Sequence, residues 1–254
     1  MSQFSHADSA ERYARSRPYF HTLVVDRIAT FLELREPVAT ALDVACGTGL
    51  SSVALRRIAS KVIGADSSAE MLARAPQVEG IEYIEAPAEQ LPFNDATFDL
   101  VTVSSAFHWF DRASFLAEVR RVLAPAGWLI IYDNAFRGEM KENPRFEHWF
   151  QESYLARYPS PPRDRRPFGE GDARRHGFRF VGREDYQNEV RFSVEELAGY
   201  LETQSNVIAS VEEGSESIEE VHRWLLNVLS SLFPRTTATF VFGGYIWYLR
   251  RSAS

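Results

Sequence analysis

The chain has 254 residues, 45% apolar and 25% charged, with a formal net charge of −7. That is enough chain to bury a sizeable core, with the composition of a soluble globular protein, and its acidity argues against nucleic acid as a partner. No apolar run has the length of a membrane span or the form of a secretory leader. The one cysteine leaves no internal disulfide, and the six histidines show no metal-ligand spacing. A cytoplasmic protein of one domain, monomer or homodimer, without a metal is expected.

Residues 1–34 carry Tyr13, Arg17 and Pro18, then a helical pattern through Leu23, Ile28, Phe31 and Leu32. Ala41 to Ala45 reads as a buried strand that breaks into a small-residue turn, Cys46-Gly47-Thr48-Gly49. A helix follows, with Leu50, Val53, Ala54 and Ile58 on one face. A second strand, Lys61–Ala65, ends in Asp66, and Ser67 or Ser68 can cap the next helix, which buries Met71 and Leu72. A third strand covers Ile81–Ala86 and a fourth covers Phe98–Ser104. Asp111 is placed to cap a helix over Arg112–Leu123. Pro125-Ala126-Gly127 reads as a turn into a fifth strand that ends near Asp133. Further on, Phe146, Trp149, Phe150, Tyr154 and Tyr158 suggest an aromatic helix, and four prolines between 159 and 167 enforce a loop. A strand over Phe178–Arg191, a helix begun by the capping box Ser193/Glu196, an amphipathic helix over Glu216–Phe233 and a strand over Thr237–Leu249 complete the chain.

Strand, glycine turn and helix make the first half of a nucleotide-binding βαβ unit. Asp66, about 20 residues past the turn, stands where a ribose hydroxyl pair is held. The turn is no phosphate-binding loop, and the dinucleotide fingerprint is broken by Ser52 at its third glycine. Asp43, just before the turn, would repel a pyrophosphate and suits a ligand with a cationic amine. Cys46 reads as a small turn residue rather than a nucleophile. Because ligands of open α/β sheets bind beyond the carboxyl ends of the strands, Ser104 and the run Ala106-Phe107-His108-Trp109 belong at the site. His108 is either a general base for a hydroxyl acceptor or, with Trp109, a pocket-shaping residue. Between Arg157 and Arg183 stand eight arginines and three acids, which makes an anionic acceptor one option.

Asp43-Val44-Ala45-Cys46-Gly47-Thr48-Gly49 resembles the first motif of class I S-adenosylmethionine-dependent methyltransferases, with Ala45 in place of the first glycine. Ser105 to Asp111 resembles the A-x-H-W-F-D signature of the small-molecule group that includes the trans-aconitate methyltransferases, and residues 10–133 follow the family closely. The resemblance implies an α/β, Rossmann-like fold with a seven-stranded, mostly parallel sheet, an antiparallel last strand, helices on both faces and a helical cap. It divides the domain into lid helices (1–34), a cofactor-binding core (35–133), a substrate cap with the sixth strand (134–236) and a closing strand (237–250). The implied cofactor is S-adenosylmethionine, with S-adenosylhomocysteine as product. Its contacts would come from Asp43, Ala45, Gly47, Gly49, Asp66, Ser67, Met71, Ala88, Glu89 and Ser104. Pro87 stands where many relatives have Asp, which moves the adenine contact to the Ala88 main chain and Glu89. Tyr13 and Arg17 are lid candidates. The implied reaction is methyl transfer to a small molecule at oxygen, carboxylate or hydroxyl. The alternatives are an NAD(P)-dependent oxidoreductase and a non-catalytic S-adenosylmethionine-binding protein.

Overall fold

The computed structural model describes residues 7–162, 164 and 166–252. The chain begins with α1 (Ala7–Ser16), α2 (His21–Phe31), β1 (Val38–Val44), α3 (Leu50–Leu55), β2 (Ala59–Asp66) and α4 (Ala69–Leu72). It continues through β3 (Ile81–Glu85), β4 (Phe98–Ser104), α5 (Arg112–Val122), β5 (Leu123–Tyr132) and β6 (Ala135–Met140). Helices α6 (Arg145–Trp149) and α7 (Leu155–Arg157) flank a π-helical stretch, Phe150–Tyr154. Then come α8 (Glu170–Arg175), β7 (Phe178–Ser193), α9 (Val194–Glu202), α10 (Ser205–Glu212), α11 (Ile218–Leu232) and β8 (Thr237–Arg251). The residues cluster into two compact units, and β7 and β8 pass from one into the other.

The first unit comprises residues 19–133, 163–185 and 244–254. Its sheet runs β3-β2-β1-β4-β5-β8, with β1 to β5 parallel and β8 antiparallel to β5. The order reverses between β1 and β4, and that reversal opens a crevice at their carboxyl ends. On one face Leu42, Val44, Val101, Val103, Leu129 and Ile131 pack with Phe115, Leu116, Val119 and Val122 of α5. On the other face α2 lies against the second half of β5, from Trp128 to Tyr132. Phe31 stacks on Tyr248 at 3.6 Å between centroids and meets Trp128 edge-on. At the opposite end of the helix the buried His21 meets the Tyr132 hydroxyl at 3.1 Å through Nδ1.

Three expectations are corrected here. The inward face of α2 is His21, Val24, Val25 and Ile28, an i, i+3, i+4, i+7 set, and Leu23 is exposed. The inward face of α3 is Ser51, Ser52, Ala54 and Leu55, with Leu50 and Val53 only partly covered. Its two hydroxyls are inside because a buried acid requires them, as described below. Pro125-Ala126-Gly127 does not separate helix from strand. Strand β5 begins at Leu123, and the three residues form a bulge with Ala126 at φ +59°, where the pairing with β4 shifts register.

The second unit comprises residues 1–18, 134–162 and 186–243. Strand β6, to which the sequence reading assigned no element, pairs antiparallel with the first half of β8. Its core is strongly aromatic: Phe136, Phe146, Phe150, Tyr154, Phe192, Tyr200, Phe240 and Phe242 pack with Leu197, Leu201, Val221, Leu225 and Leu229 of α9 and α11. Helix α9 opens on the expected capping box, Ser193 Oγ accepting from Glu196 N and Glu196 accepting from Ser193 N. Helix α11 uses Ser217 and Glu220 in the same way.

Strand β3 makes one close approach in the first unit. Tyr83 lies across Gly64, where an added Cβ would stand 2.7 Å from the tyrosine ring and 2.9 Å from Cys46 Sγ and Ser52 Oγ. Gly64→Ala is therefore expected to destabilise the protein by about 1–3 kcal/mol, as overpacking does, measurable as a lowered midpoint in chemical denaturation.

Candidate cofactor and acceptor site

The site is built around Asp43, in β1 and 1% exposed. Its Oδ2 accepts the hydroxyls of Ser51 and Ser52 at 2.6 and 2.7 Å, and its Oδ1 accepts that of Thr102 in β4 at 2.9 Å. A buried carboxylate is tolerable only when its lone pairs are met, and three hydroxyls meet them here. Besides any attraction for a ligand amine, the carboxylate fixes the first turn of α3 under the glycine turn. Burial pushes its carboxyl up to about 6, against the pull of the three hydroxyls. Ser52, which breaks the dinucleotide fingerprint, is fully buried as one of these partners.

The turn itself leaves β1 through Ala45 at φ +54° and passes through Gly47 and Gly49 at φ +56° and +77°. Gly49 is doubly required, by its left-handed backbone and by the Tyr83 hydroxyl directly beneath its missing Cβ. Ala45 adopts the same conformation with a side chain, at a cost of roughly 1–2 kcal/mol. Asp66 closes the turn from the end of β2: its Oδ2 accepts Gly47 N at 2.8 Å and its Oδ1 accepts Ser68 N at 2.9 Å. Burial raises the Asp66 carboxyl above its ordinary range. Ser68, rather than the exposed Ser67, caps α4 by accepting Met71 N at 3.2 Å. Met71 is buried, and its Cε lies 3.1 Å from where a Cβ of Gly47 would stand. Cys46 is buried and its thiol is pushed well up, first by burial and then by Asp43 and Asp66, as suits a packing residue.

These features fit a cationic adenosyl ligand better than a pyrophosphate. Two carboxylates flank the turn, and the Thr48 hydroxyl, on a residue 3% exposed, has no protein partner. Asp66, which is only partly buried, stands at the end of β2.

Beyond β3, Ala88 is in the core, and Glu89 Oε1 accepts Asp111 N at 3.1 Å, tying this loop to the start of α5. Asp111 caps α5 as expected, accepting Ser114 N at 2.9 Å, and its carboxyl is held below the usual range by that bond. Ser104 ends β4 opposite Tyr132. His108 and Trp109 lie in the 3₁₀ turn between β4 and α5, ring centroids 4.8 Å apart, with Trp109 39% exposed. The His108 carbonyl accepts Asp164 N at 3.2 Å, and Asp164 is paired with Arg112 at 3.1 Å. All these residues belong to the first unit. Tyr13 and Arg17 belong to the second, where the Arg17 guanidinium lies over the Tyr13 and Tyr200 rings and donates to Thr203 O at 2.6 Å. Sequence reasoning missed Ser51, Ser52, Thr102 and Tyr83. Two adjacent serines on an otherwise apolar helix face, eight and nine residues past a strand acid, were the available signal.

Residues 42–131 match the methyltransferase domain family. The chain is 39% identical over 115 residues to the demethylmenaquinone methyltransferase of Thermus thermophilus, an alignment covering 42% of this chain and 52% of that enzyme. It is 24% identical to a presumed methyltransferase of Dictyostelium discoideum over 82% of this chain and 80% of that protein. In fold it resembles a presumed type II methyltransferase from Anaeromyxobacter dehalogenans, with a TM-score of 0.71 at 22% identity over 94% of this chain and 99% of that one. The glycine turn, its acids and these likenesses define an S-adenosylmethionine-dependent enzyme. The likeness is carried by residues 42–131, which match the type 11 methyltransferase domain of the class I enzymes.

Two stability measurements test this account. Ala45→Gly is expected to raise stability by about 1 kcal/mol through relief of the left-handed alanine, read as a higher unfolding midpoint. Because the folded carboxyl of Asp43 titrates near 6, above its ordinary 3.8, its contribution is greatest below pH 4 and is lost as pH rises through 6. Wild type should therefore lose stability relative to Asp43→Asn between pH 4.5 and 7.5, whatever their absolute difference.

Proposed function

We propose that the protein transfers a methyl group from S-adenosylmethionine to the hydroxyl of a neutral small molecule. The observation that carries the acceptor class is the state of the arginines from Arg157 to Arg183. Arg157 is paired with Glu216, Arg166 with Asp164, Arg175 with Asp172 and Arg183 with Asp185. Arg163 and Arg165 lie outside the described residues. These four are already engaged by carboxylates, and the remaining described pair, Arg174 and Arg179, stands exposed on the surface, so the cluster gives a carboxylate substrate little support. The Thermus relative is named for a quinone substrate, so a naphthoquinol, which offers ring hydroxyls and a ring carbon, is the first compound to try, with label on oxygen the outcome this reading requires.

Bound S-adenosylmethionine supplies an electrophilic methyl group on a sulfonium. The chain's own residues bind and align. Asp66 would hold the ribose hydroxyls, and the Gly47–Gly49 turn would let main chain approach. Thr48 has a hydroxyl to offer, Met71 would wall the adenine, and Ser67, Ala88, Glu89 and Ser104 would line the remainder. Alignment of acceptor and methyl contributes a large share of the rate. A hydroxyl acceptor must also lose a proton, and His108, beyond the carboxyl end of β4, is the candidate to receive it.

The test is transfer of labelled methyl to 1,4-naphthalenediol compared with trans-aconitate. Label in the diol is expected, and label in aconitate alone would overturn the hydroxyl assignment. Asp66→Ala should weaken S-adenosylhomocysteine binding in calorimetry by at least about tenfold, equivalent to roughly 1.4 kcal/mol. His108→Ala should lower kcat on the diol with little change in cofactor affinity, and an unchanged kcat would remove it as base.

A further inference from the structure

Strands β1 and β4 both leave the sheet, on the two sides of the crevice, through a left-handed residue that is not glycine: Ala45 and Ser105, each at φ +54°. The first stands where the family motif has glycine. Ser105 has no such explanation. Strained non-glycine backbone persists only where its surroundings over-determine it, and here the surroundings are specific. Ser105 N donates to Tyr132 O at 2.8 Å, and Ser105 Oγ donates to Asp133 Oδ1 at 2.8 Å. Asp133 is anchored in turn, its N–H donating to Tyr245 O at 3.2 Å. Both side chains are only partly buried.

We propose that Ser105 and Asp133 are a positioning pair, which aims the turn Ala106–Phe110, with His108 and Trp109, at the methyl acceptor. This rests on the acceptor lying beyond the carboxyl ends of β4 and β5. The far end of the turn is fixed independently, by Asp111 capping α5, by Glu89 on Asp111 N and by Asp164 on the His108 carbonyl. Its entry is fixed by one hydroxyl–carboxylate bond and one backbone bond. Phe107, in the middle of the turn, is buried against Phe115 and Trp247; without the first bond, Ser105 can relax out of the left-handed region, and a change of φ at the entry re-aims the partly exposed His108 and Trp109 about that anchor. Asp133 acts as a hydrogen-bond acceptor in this arrangement, not as a base, so an amide oxygen can replace its carboxylate.

The experiment uses the whole chain with Ser105→Ala, Asp133→Ala and Asp133→Asn. Trp109 emission is isolated by subtracting the same protein carrying Trp109→Phe. Ser105→Ala and Asp133→Ala are expected to raise acrylamide quenching of Trp109 by at least about twofold, while S-adenosylhomocysteine affinity stays within about twofold, the cradle on β1 and β2 being untouched. Asp133→Asn is expected to match wild type. Unchanged Trp109 quenching in both alanine variants overturns the proposal, as does an asparagine variant that behaves like the alanine one. If Asp133→Ala does not fold, Ser105→Ala, which removes a single partly exposed hydroxyl, decides alone. A wild-type protein that fails to bind S-adenosylhomocysteine would sink the methyltransferase function, and the Trp109 comparison would still decide the clasp.

Discussion

Everything at this site depends on one buried charge. Asp43 lies inside the sheet–helix layer with almost no exposure, and its carboxylate needs hydroxyl donors there. Ser51 and Ser52 supply two and Thr102 the third. That need rotates α3 so that serines face inward, replaces the last glycine of a dinucleotide motif with a serine, and joins β1 to β4 at the point where the sheet order reverses. The same charge gives the glycine turn an acidic floor, and Asp66 adds a second acid at its rim. A ligand carrying positive charge is thereby favoured over one carrying phosphates.

Much of this was legible in the sequence, because the relevant signals are local. The strand–turn–helix order, Asp66 at the end of β2 and the caps at Ser68, Asp111 and Ser193 follow from short-range patterns, and the antiparallel last strand from the family resemblance. What was not legible required knowledge of contacts made by residues far apart in the chain. Apolar periodicity placed Leu50 and Val53 inward on α3, since no pattern rule expects two serines to be wanted in a core. Leu23 was expected inside α2, but the helix is phased by His21 at Tyr132 and Phe31 on Tyr248. Arg157 looked available because its partner Glu216 is 59 residues away and could not be assigned without the fold, whereas Arg166, Arg175 and Arg183 pair with acids close by in the chain.

The two sides of the crevice are built differently. On the cofactor side, a backbone turn is locked by acids and by close packing, and little in it can move without cost. On the acceptor side, a short turn bearing His108 and Trp109 is anchored at the buried Phe107 and tied at its ends by hydrogen bonds. Such a division suits an enzyme group that keeps one cofactor and changes acceptors: the first half tolerates little substitution, while the second can be re-aimed by changing one polar pair.

Tyr83 has a consequence for how the protein assembles. The turn that cradles the cofactor is contributed by residues 45–49, yet the ring that props Gly49 comes from β3, two strands away in the sheet. Local chain can sketch the turn but cannot hold it. Its final shape waits for β2 and β3 to dock and for the tyrosine to slide over Gly64. Cofactor binding is thus a late acquisition in folding, and a ligand that binds the finished cradle favours the fully docked sheet over any partly paired one.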